Sequence, residues 1–139
     1  MIRGAVTAMP KHLPITEFDM SGIYVAVNRY KSAGLKADYS VEQRTAGIVT
    51  IVLENPMTRD GSIAAFEIHK LARPGWFGEK AWWVIQLCSK SPGASQFERR
   101  GCVSAKTQAY ALSEAEVDLR FNFISICDFE LASQGWDNR

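Results

Sequence analysis

The stretch SIAAFEIHKLARPGWFGEKAWWVIQLCS, residues 62–89, decides the fold class, because it places two β-rich segments on either side of a turn. Residues 62–72 and 81–89 are rich in β-branched and aromatic side chains, which favour strands. A Pro-Gly pair and a further glycine between them supply turn residues, and a connection this short makes the two strands antiparallel neighbours. The stretch therefore predicts an antiparallel sheet.

Further segments along the chain follow the same pattern and predict more strands. They cover residues 22–31, 47–55 and, by alternation of apolar and polar side chains, 117–131. Fifteen extended residues would run about 50 Å, beyond the roughly 35 Å width of a compact domain of this length, so the last segment must bend, divide or project. Residues 102–112 fit either a strand or a helix, and residues 33–44 are the best candidate for a short helix.

The predicted fold is mainly β, an antiparallel barrel or sandwich of about six strands with at most one or two short helices. The alternative is an α+β fold, in which an antiparallel sheet carries a helix packed on one face. At 139 residues the chain fits a single domain. We divide it into an N-terminal arm (1–20), a single antiparallel β domain (21–135) and a C-terminal tail (136–139).

Charge and composition narrow the classes of partner. The chain has sixteen Lys and Arg residues and fifteen Asp and Glu residues, so its positive and negative charges nearly balance. No run of basic residues is long enough to predict nucleic-acid binding. No apolar run reaches the roughly twenty residues of a membrane-spanning helix and no signal peptide is visible, so we expect a soluble, cytoplasmic protein without a membrane partner. Three widely spaced cysteines and two histidines give no recognisable ligand spacing, and we predict neither a metal nor a cofactor.

The first candidate for a functional surface is the aromatic cluster around the predicted turn. Trp76 and Phe77 lie at its crown, where large aromatic side chains rarely remain exposed without a use. Adjacent residues of a strand face opposite sides, so Trp82 and Trp83 cannot both enter one core. The alternatives to a ligand site are a lid folded over the core and a contact with another subunit. The predicted ligand-binding residues are Trp76, Phe77, Trp82, Trp83, Tyr24 and Arg120.

The expected function is non-catalytic binding of a small, partly apolar or aromatic ligand in a cavity rimmed by these side chains. The first alternative is a structural or assembly role as a homo-oligomer, suggested by the length of the 117–131 segment and by the apolar, proline-containing arm. The second alternative is a small isomerase or hydrolase. Glu67 and His69 lie two residues apart on one predicted strand, so the carboxylate can orient the imidazole as a general base. Any exposed strand face offers such pairs, and the sequence favours a binding protein over an enzyme.

Overall fold

The protein folds as a five-stranded antiparallel sheet with two helices on one face. The structure is a computed structural model, and it describes residues 11–32, 37–40, 46–53, 61–75 and 78–122. The elements are α1 (Glu17–Ser32), β1 (Ala37–Ser40), β2 (Ile48–Leu53), β3 (Ile63–Gly75), β4 (Gly78–Lys90), β5 (Glu98–Ala105) and α2 (Gln108–Asn122). The strands lie side by side in chain order, and each neighbouring pair is antiparallel. Four strands have six residues or more, and β1, at one edge, has four.

Strands β3 and β4 form the centre of the sheet and pair over all thirteen residues of each. Their side chains alternate between two faces of the sheet. Phe66 and Ile68 of β3 point to the inner face, whose fully buried members also include Val49, Ile51, Leu53, Ile85 and Leu87. The antiparallel strand pair predicted from residues 62–72 and 81–89 is confirmed.

Both helices pack on the inner face and share its hydrophobic core. The buried residues of α1 recur three or four positions apart, which places them on one side of the helix: Met20, Ile23, Ala26, Val27 and Tyr30. Those of α2, which packs against β4 and β5, include Ala111, Leu112 and Ala115. Because the sheet has five strands that alternate in direction, β1 and β5 run the same way. Helix α1 comes before β1 and helix α2 follows β5, and the two helices run parallel to each other over the sheet.

Helix α1 begins where Thr16 and Asp19 satisfy each other's backbone amides. The N–H of Asp19 donates to Thr16 Oγ1 at 3.1 Å, and the N–H of Thr16 donates to Asp19 Oδ2 at 2.8 Å. This is a reciprocal capping box with aspartate in the place of glutamate. Lys70 Nζ, from the inner face of β3, donates to the same Oδ2 at 2.6 Å. The cap therefore also fixes the start of α1 to the central strand.

Two elements predicted in the N-terminal half are wrong. Residues 22–31, predicted as a strand, belong to α1, because the cap that starts the helix lies outside the β-rich segment and the buried side chains recur at helical spacing. Within the predicted helix at 33–44, residues 37–40 form strand β1. The remaining positions of that predicted helix lie outside the described residues.

The predicted strand at residues 117–131 is also wrong over its described part. Residues 117–122 continue α2, which begins where Thr107 Oγ1 accepts a hydrogen bond from the N–H of Tyr110 at 3.2 Å. The rest of that predicted strand lies outside the described residues. Residues 102–112, which fit both structures by sequence, contain the end of β5 and the start of α2.

The architecture is an open sheet and not the predicted barrel or sandwich, and the α+β alternative is confirmed. Two helices on one face exclude a second sheet there, and the rings of Tyr30 and Phe66, 6.2 Å apart between centroids, join helix to sheet directly. The predicted boundary between arm and domain, at residue 20, falls inside α1. The division of the chain into arm, domain and tail stays a prediction.

Residues 11–13, which we call the docked arm, run beside β3 next to the start of β2. They form an isolated antiparallel bridge with two backbone hydrogen bonds, of 2.9 and 2.7 Å. Gly47, just before β2, permits this close approach: its φ is +76°, and a Cβ there would lie 2.5 Å from the carbonyl oxygen of Leu13. The docked arm thus occupies the position in the sheet that a longer β2 would take.

Replacing Asp19 by asparagine tests whether the capping box and its ion pair stabilise the fold. Burial raises the pKa of Asp19, but hydrogen bonds from Lys70 and Thr16 outweigh it, and the resulting pKa lies below the usual value. The carboxylate therefore stabilises the fold above its unfolded-state pKa of about 4 and loses this contribution as the pH falls through the lower folded-state pKa. Between about pH 6 and about pH 3, the free energy of unfolding should fall more steeply for the wild type than for Asp19→Asn.

Urea unfolding at each pH measures this difference. The control is Glu114→Gln, which removes an exposed carboxylate of α2 and should follow the wild-type profile. Parallel profiles for the wild type and Asp19→Asn would show that the ion pair contributes nothing to stability.

Candidate functional site

Helices α1 and α2 lie side by side on the sheet, and a groove of about 470 Å³ runs between them. This volume falls in the usual range for small-molecule sites, about 300–1,000 Å³. The apolar lining of this interhelical groove consists of Gly22, Val25, Ala26, Ala109 and Val117. The polar lining consists of Arg29, Gln108, Ser113 and Glu116.

Gly22 brings the two helices together at one end of the interhelical groove. A Cβ at this position would collide with Gln108 Oε1. The other amide atom of Gln108, Nε2, donates to the backbone oxygen of Asp19 at 3.1 Å. The glycine and this hydrogen bond therefore fix the start of α2 against the first turns of α1.

A buried carboxylate lies about two helical turns further along the groove. The side chain of Glu116 is 2% exposed and accepts hydrogen bonds from the Tyr30 hydroxyl, at 2.7 Å, and from the guanidinium of Arg29. Burial and the neighbouring Glu116 raise the pKa of Tyr30 well above its usual value, so the phenol remains a donor. The Arg29 side chain is 49% exposed. Arg29 therefore joins the groove lining with a half-exposed side chain, whereas the side chain of Glu116 is buried.

On the outer face of the sheet, away from the helices, Glu67, His69 and His12 form a hydrogen-bonded chain, which we call the imidazole cluster. His69 Nε2 lies 2.8 Å from Glu67 Oε1, and His12 Nε2 lies 2.9 Å from His69 Nδ1. An ionised carboxylate only accepts, so Nε2 of His69 carries the proton and the lone pair of its Nδ1 faces His12. Two members belong to β3, and His12 belongs to the docked arm.

Arg99 and Cys88 lie beside the imidazole cluster on the neighbouring strands. Arg99 Nη2 is 3.6 Å from Glu67 Oε1. Burial lowers the pKa of His12 and the nearby His69 lowers it further, so the His12 imidazole is neutral at neutral pH. Burial raises the pKa of Cys88, as does Glu67, while Arg99 opposes the shift. The Cys88 thiol is therefore protonated and a poor nucleophile.

The structure brings together Glu67 and His69, the pair selected from their spacing on one predicted strand. Trp82 and Trp83 take opposite faces of β4, as expected for adjacent strand residues. Trp82 lies on the outer face, where the guanidinium of Arg73 is 4.1 Å from its ring centroid. Trp83 is 4% exposed and belongs to the core.

The other predicted ligand-binding residues lie away from these features or outside the described side chains. Tyr24 is on helix α1, and not on a strand, with 37% of its surface exposed. Arg120 is in α2, but its side chain lies outside the described part of the chain, as do Trp76 and Phe77 altogether. The aromatic-rimmed cavity therefore stays a prediction.

Sequence reasoning missed His12, Arg29 and Glu116. Arg29 and Glu116 belong to segments whose sequences gave no site signal, because a sequence does not distinguish a buried glutamate from an exposed one. His12 reaches His69 from 57 positions away through the docked arm, and no spacing rule connects residues so far apart.

Comparison of the chain with protein-family models, with curated protein sequences and with solved structures found no match. Within the described residues, no three His, Cys, Asp or Glu side chains converge on a metal position. No described helix is both long enough and apolar enough to cross a membrane. The interhelical groove and the imidazole cluster are the two candidate functional sites of the described residues.

Replacing Tyr30 by phenylalanine tests the support of the buried carboxylate. Tyr30→Phe should lower the free energy of unfolding by about 1.5–3 kcal/mol, because it removes a hydrogen bond to a buried charged group. Urea unfolding measures the change. The control is Tyr110→Phe, at a position 62% exposed, which should change stability by less than about 0.5 kcal/mol. Equal effects of the two substitutions would mean that the Tyr30 hydroxyl does not support Glu116.

Proposed function

We propose that the protein binds a small, partly apolar ligand without transforming it, and that the interhelical groove is the binding site. The observation that supports this most directly is the combination, in one groove of about 470 Å³, of an apolar lining and a half-exposed arginine side chain. Small-molecule sites are typically concave and mostly apolar, with a few polar groups that orient the ligand. The interhelical groove has this composition.

The polar lining favours a ligand that carries an acidic or hydrogen-bond-accepting group. Glu116 pairs with Arg29 and its side chain is only 2% exposed, so a ligand would contact mainly the arginine side of this pair. Guanidinium N–H groups bind planar anions strongly, and the nearby Ser113 hydroxyl adds a further donor.

The apolar part of the ligand would cover side chains that the fold leaves in water. Val25 is 64% exposed and Val117 is 36% exposed, one on each side of the groove. Removing apolar surface from water contributes about 25 cal/mol per Å², and each valine offers surface to a bound ring or chain. The proposal thus keeps the ligand class expected from the sequence and moves the site from the aromatic turn to the groove.

The alternatives drawn from the sequence stay predictions. The hydrogen bond between Glu67 and His69 favours the enzyme alternative, since an oriented imidazole can accept a proton from a substrate. Native mass spectrometry of the full chain tests the homo-oligomer alternative through the subunit count and reports any ligand that remains bound. The cytoplasmic location also stays a prediction.

The probe 8-anilinonaphthalene-1-sulfonate tests the groove, because it joins fused aromatic rings to an anionic group. Its fluorescence should rise saturably with the folded wild-type protein. Ala109→Trp, which fills the groove from α2, should weaken binding by at least about tenfold, since the indole occupies the space of the ligand. Titration with direct excitation of the probe measures the dissociation constant.

The matched control is Tyr110→Trp, which adds an indole at the next position of α2 but outside the groove lining, and it should bind the probe like the wild type. The neutral analogue N-phenyl-1-naphthylamine should bind about tenfold more weakly than the sulfonate if Arg29 contacts the anion. Equal binding by Ala109→Trp and the wild type would place the probe elsewhere and refute the groove as the site.

A further inference from the structure

We propose that His12 and His69 together bind one divalent transition-metal ion, Cu²⁺, Ni²⁺ or Zn²⁺, on the outer face of the sheet. The site lies on the face opposite the interhelical groove and does not depend on the ligand-binding proposal. Imidazole nitrogen is a good ligand for these three ions. The two protein ligands are His12 Nε2 and His69 Nδ1, the nitrogens that face each other across 2.9 Å.

The separation of the two rings fits a shared ion. Their centroids are 5.2 Å apart, and two imidazoles bound to one tetrahedral ion at about 2.0–2.1 Å have centroids about 5.2 Å apart. The facing nitrogens of such a pair lie about 3.3 Å apart. The chelate therefore keeps the observed centroid separation and requires each ring to turn by about 35°, so that both lone pairs point at the ion.

Glu67 prepares His69 as a ligand. Its Oε1 accepts a hydrogen bond from the N–H at Nε2 of His69, at 2.8 Å. The lone pair of His69 Nδ1 is then directed at His12. A carboxylate behind a histidine fixes the tautomer and orientation of the ring and increases its basicity, as at many metal sites. The three-residue chain thus has the arrangement of two ligands and one outer-shell carboxylate.

The docked arm makes the two ligands available as a pair. Backbone hydrogen bonds hold residues 11–13 to β3, so His12 does not have to be ordered when the ion binds. The His69 side chain is 18% exposed, so an ion can approach from solvent and keep water in its remaining positions. Arg99 contacts Glu67 and is 72% exposed, so solvent screens its repulsion of a cation.

The two-ligand site should be weaker than structural or catalytic zinc sites, which have four or three protein ligands. Affinity should follow the usual order for nitrogen ligands, with Cu²⁺ above both Ni²⁺ and Zn²⁺. An ion that joins the docked arm to β3 should also raise the unfolding temperature, because it binds the folded chain and not the separated ligands.

Isothermal titration of the tag-free full chain with CuCl₂, NiCl₂ and ZnCl₂ tests the proposal. One ion should bind per chain. His12→Gln and His69→Gln should each reduce affinity by at least about tenfold, and Glu67→Gln, which keeps both imidazoles, by about 10- to 100-fold. Cys102→Ser is the control for thiol binding, because Cys102 is an exposed cysteine on β5, and it should leave affinity unchanged.

The His12→Gln variant separates metal binding from folding, since its amide can still donate to His69 Nδ1 and hold the docked arm. Without metal its unfolding temperature should match that of the wild type, and with NiCl₂ it should lack the rise that the wild type shows. Electron paramagnetic resonance of the Cu²⁺ complex should report two coordinated nitrogens. Absence of one-to-one binding, affinity that survives both histidine substitutions, or loss of binding in Cys102→Ser would overturn the proposal.

Discussion

The pairing of β3 with β4 along all thirteen residues of each strand is the constraint on which the rest of the structure depends. Side chains alternate along a strand, so a slip of one residue would exchange the faces of Phe66 and Glu67. In the observed register, Phe66 and Ile68 enter the core beneath the helices, while Glu67 and His69 point to the outer face. This register thus fixes both the apolar sheet face on which the helices pack and the position of the imidazole cluster.

Ionic contacts join α1 to the sheet at one of its ends and to α2 near the other. Lys70 of β3 binds Asp19 at the start of α1, and Glu116 of α2 binds Arg29 near the end of the same helix. Apolar side chains tolerate small shifts, but a helix that moves away from its partner leaves a covered charge uncompensated, which costs more than the pair itself contributes. These contacts hold α1 at both of its ends.

The same contacts create the interhelical groove. Gly22 and Gln108 hold the helices together at one end, and the pair formed by Arg29 and Glu116 bridges them two turns later. Small side chains between these contacts, such as Ala26 and Ala109, leave the space open. Because this groove and the imidazole cluster lie on opposite faces of the sheet, a ligand in one does not contact a metal ion in the other.

The sequence by itself determined the antiparallel β3–β4 pair, the opposite faces of Trp82 and Trp83, and the pairing of Glu67 with His69. Each depends on the two-residue period of a strand, a local property that a short segment contains in full. The same reasoning failed for residues 22–31 and 117–122, because β-branched and aromatic side chains also occur in a helix when a cap lies before the segment.

Only the tertiary structure decided which residues meet from distant parts of the chain. His12 reaches His69 because Gly47 lets the docked arm approach β3 next to the start of β2. Glu116 is buried because α1 and α2 run over the same face of the sheet with the same polarity. Secondary-structure propensities do not predict these contacts, because each contact depends on the free energy of burying surfaces that belong to separate elements.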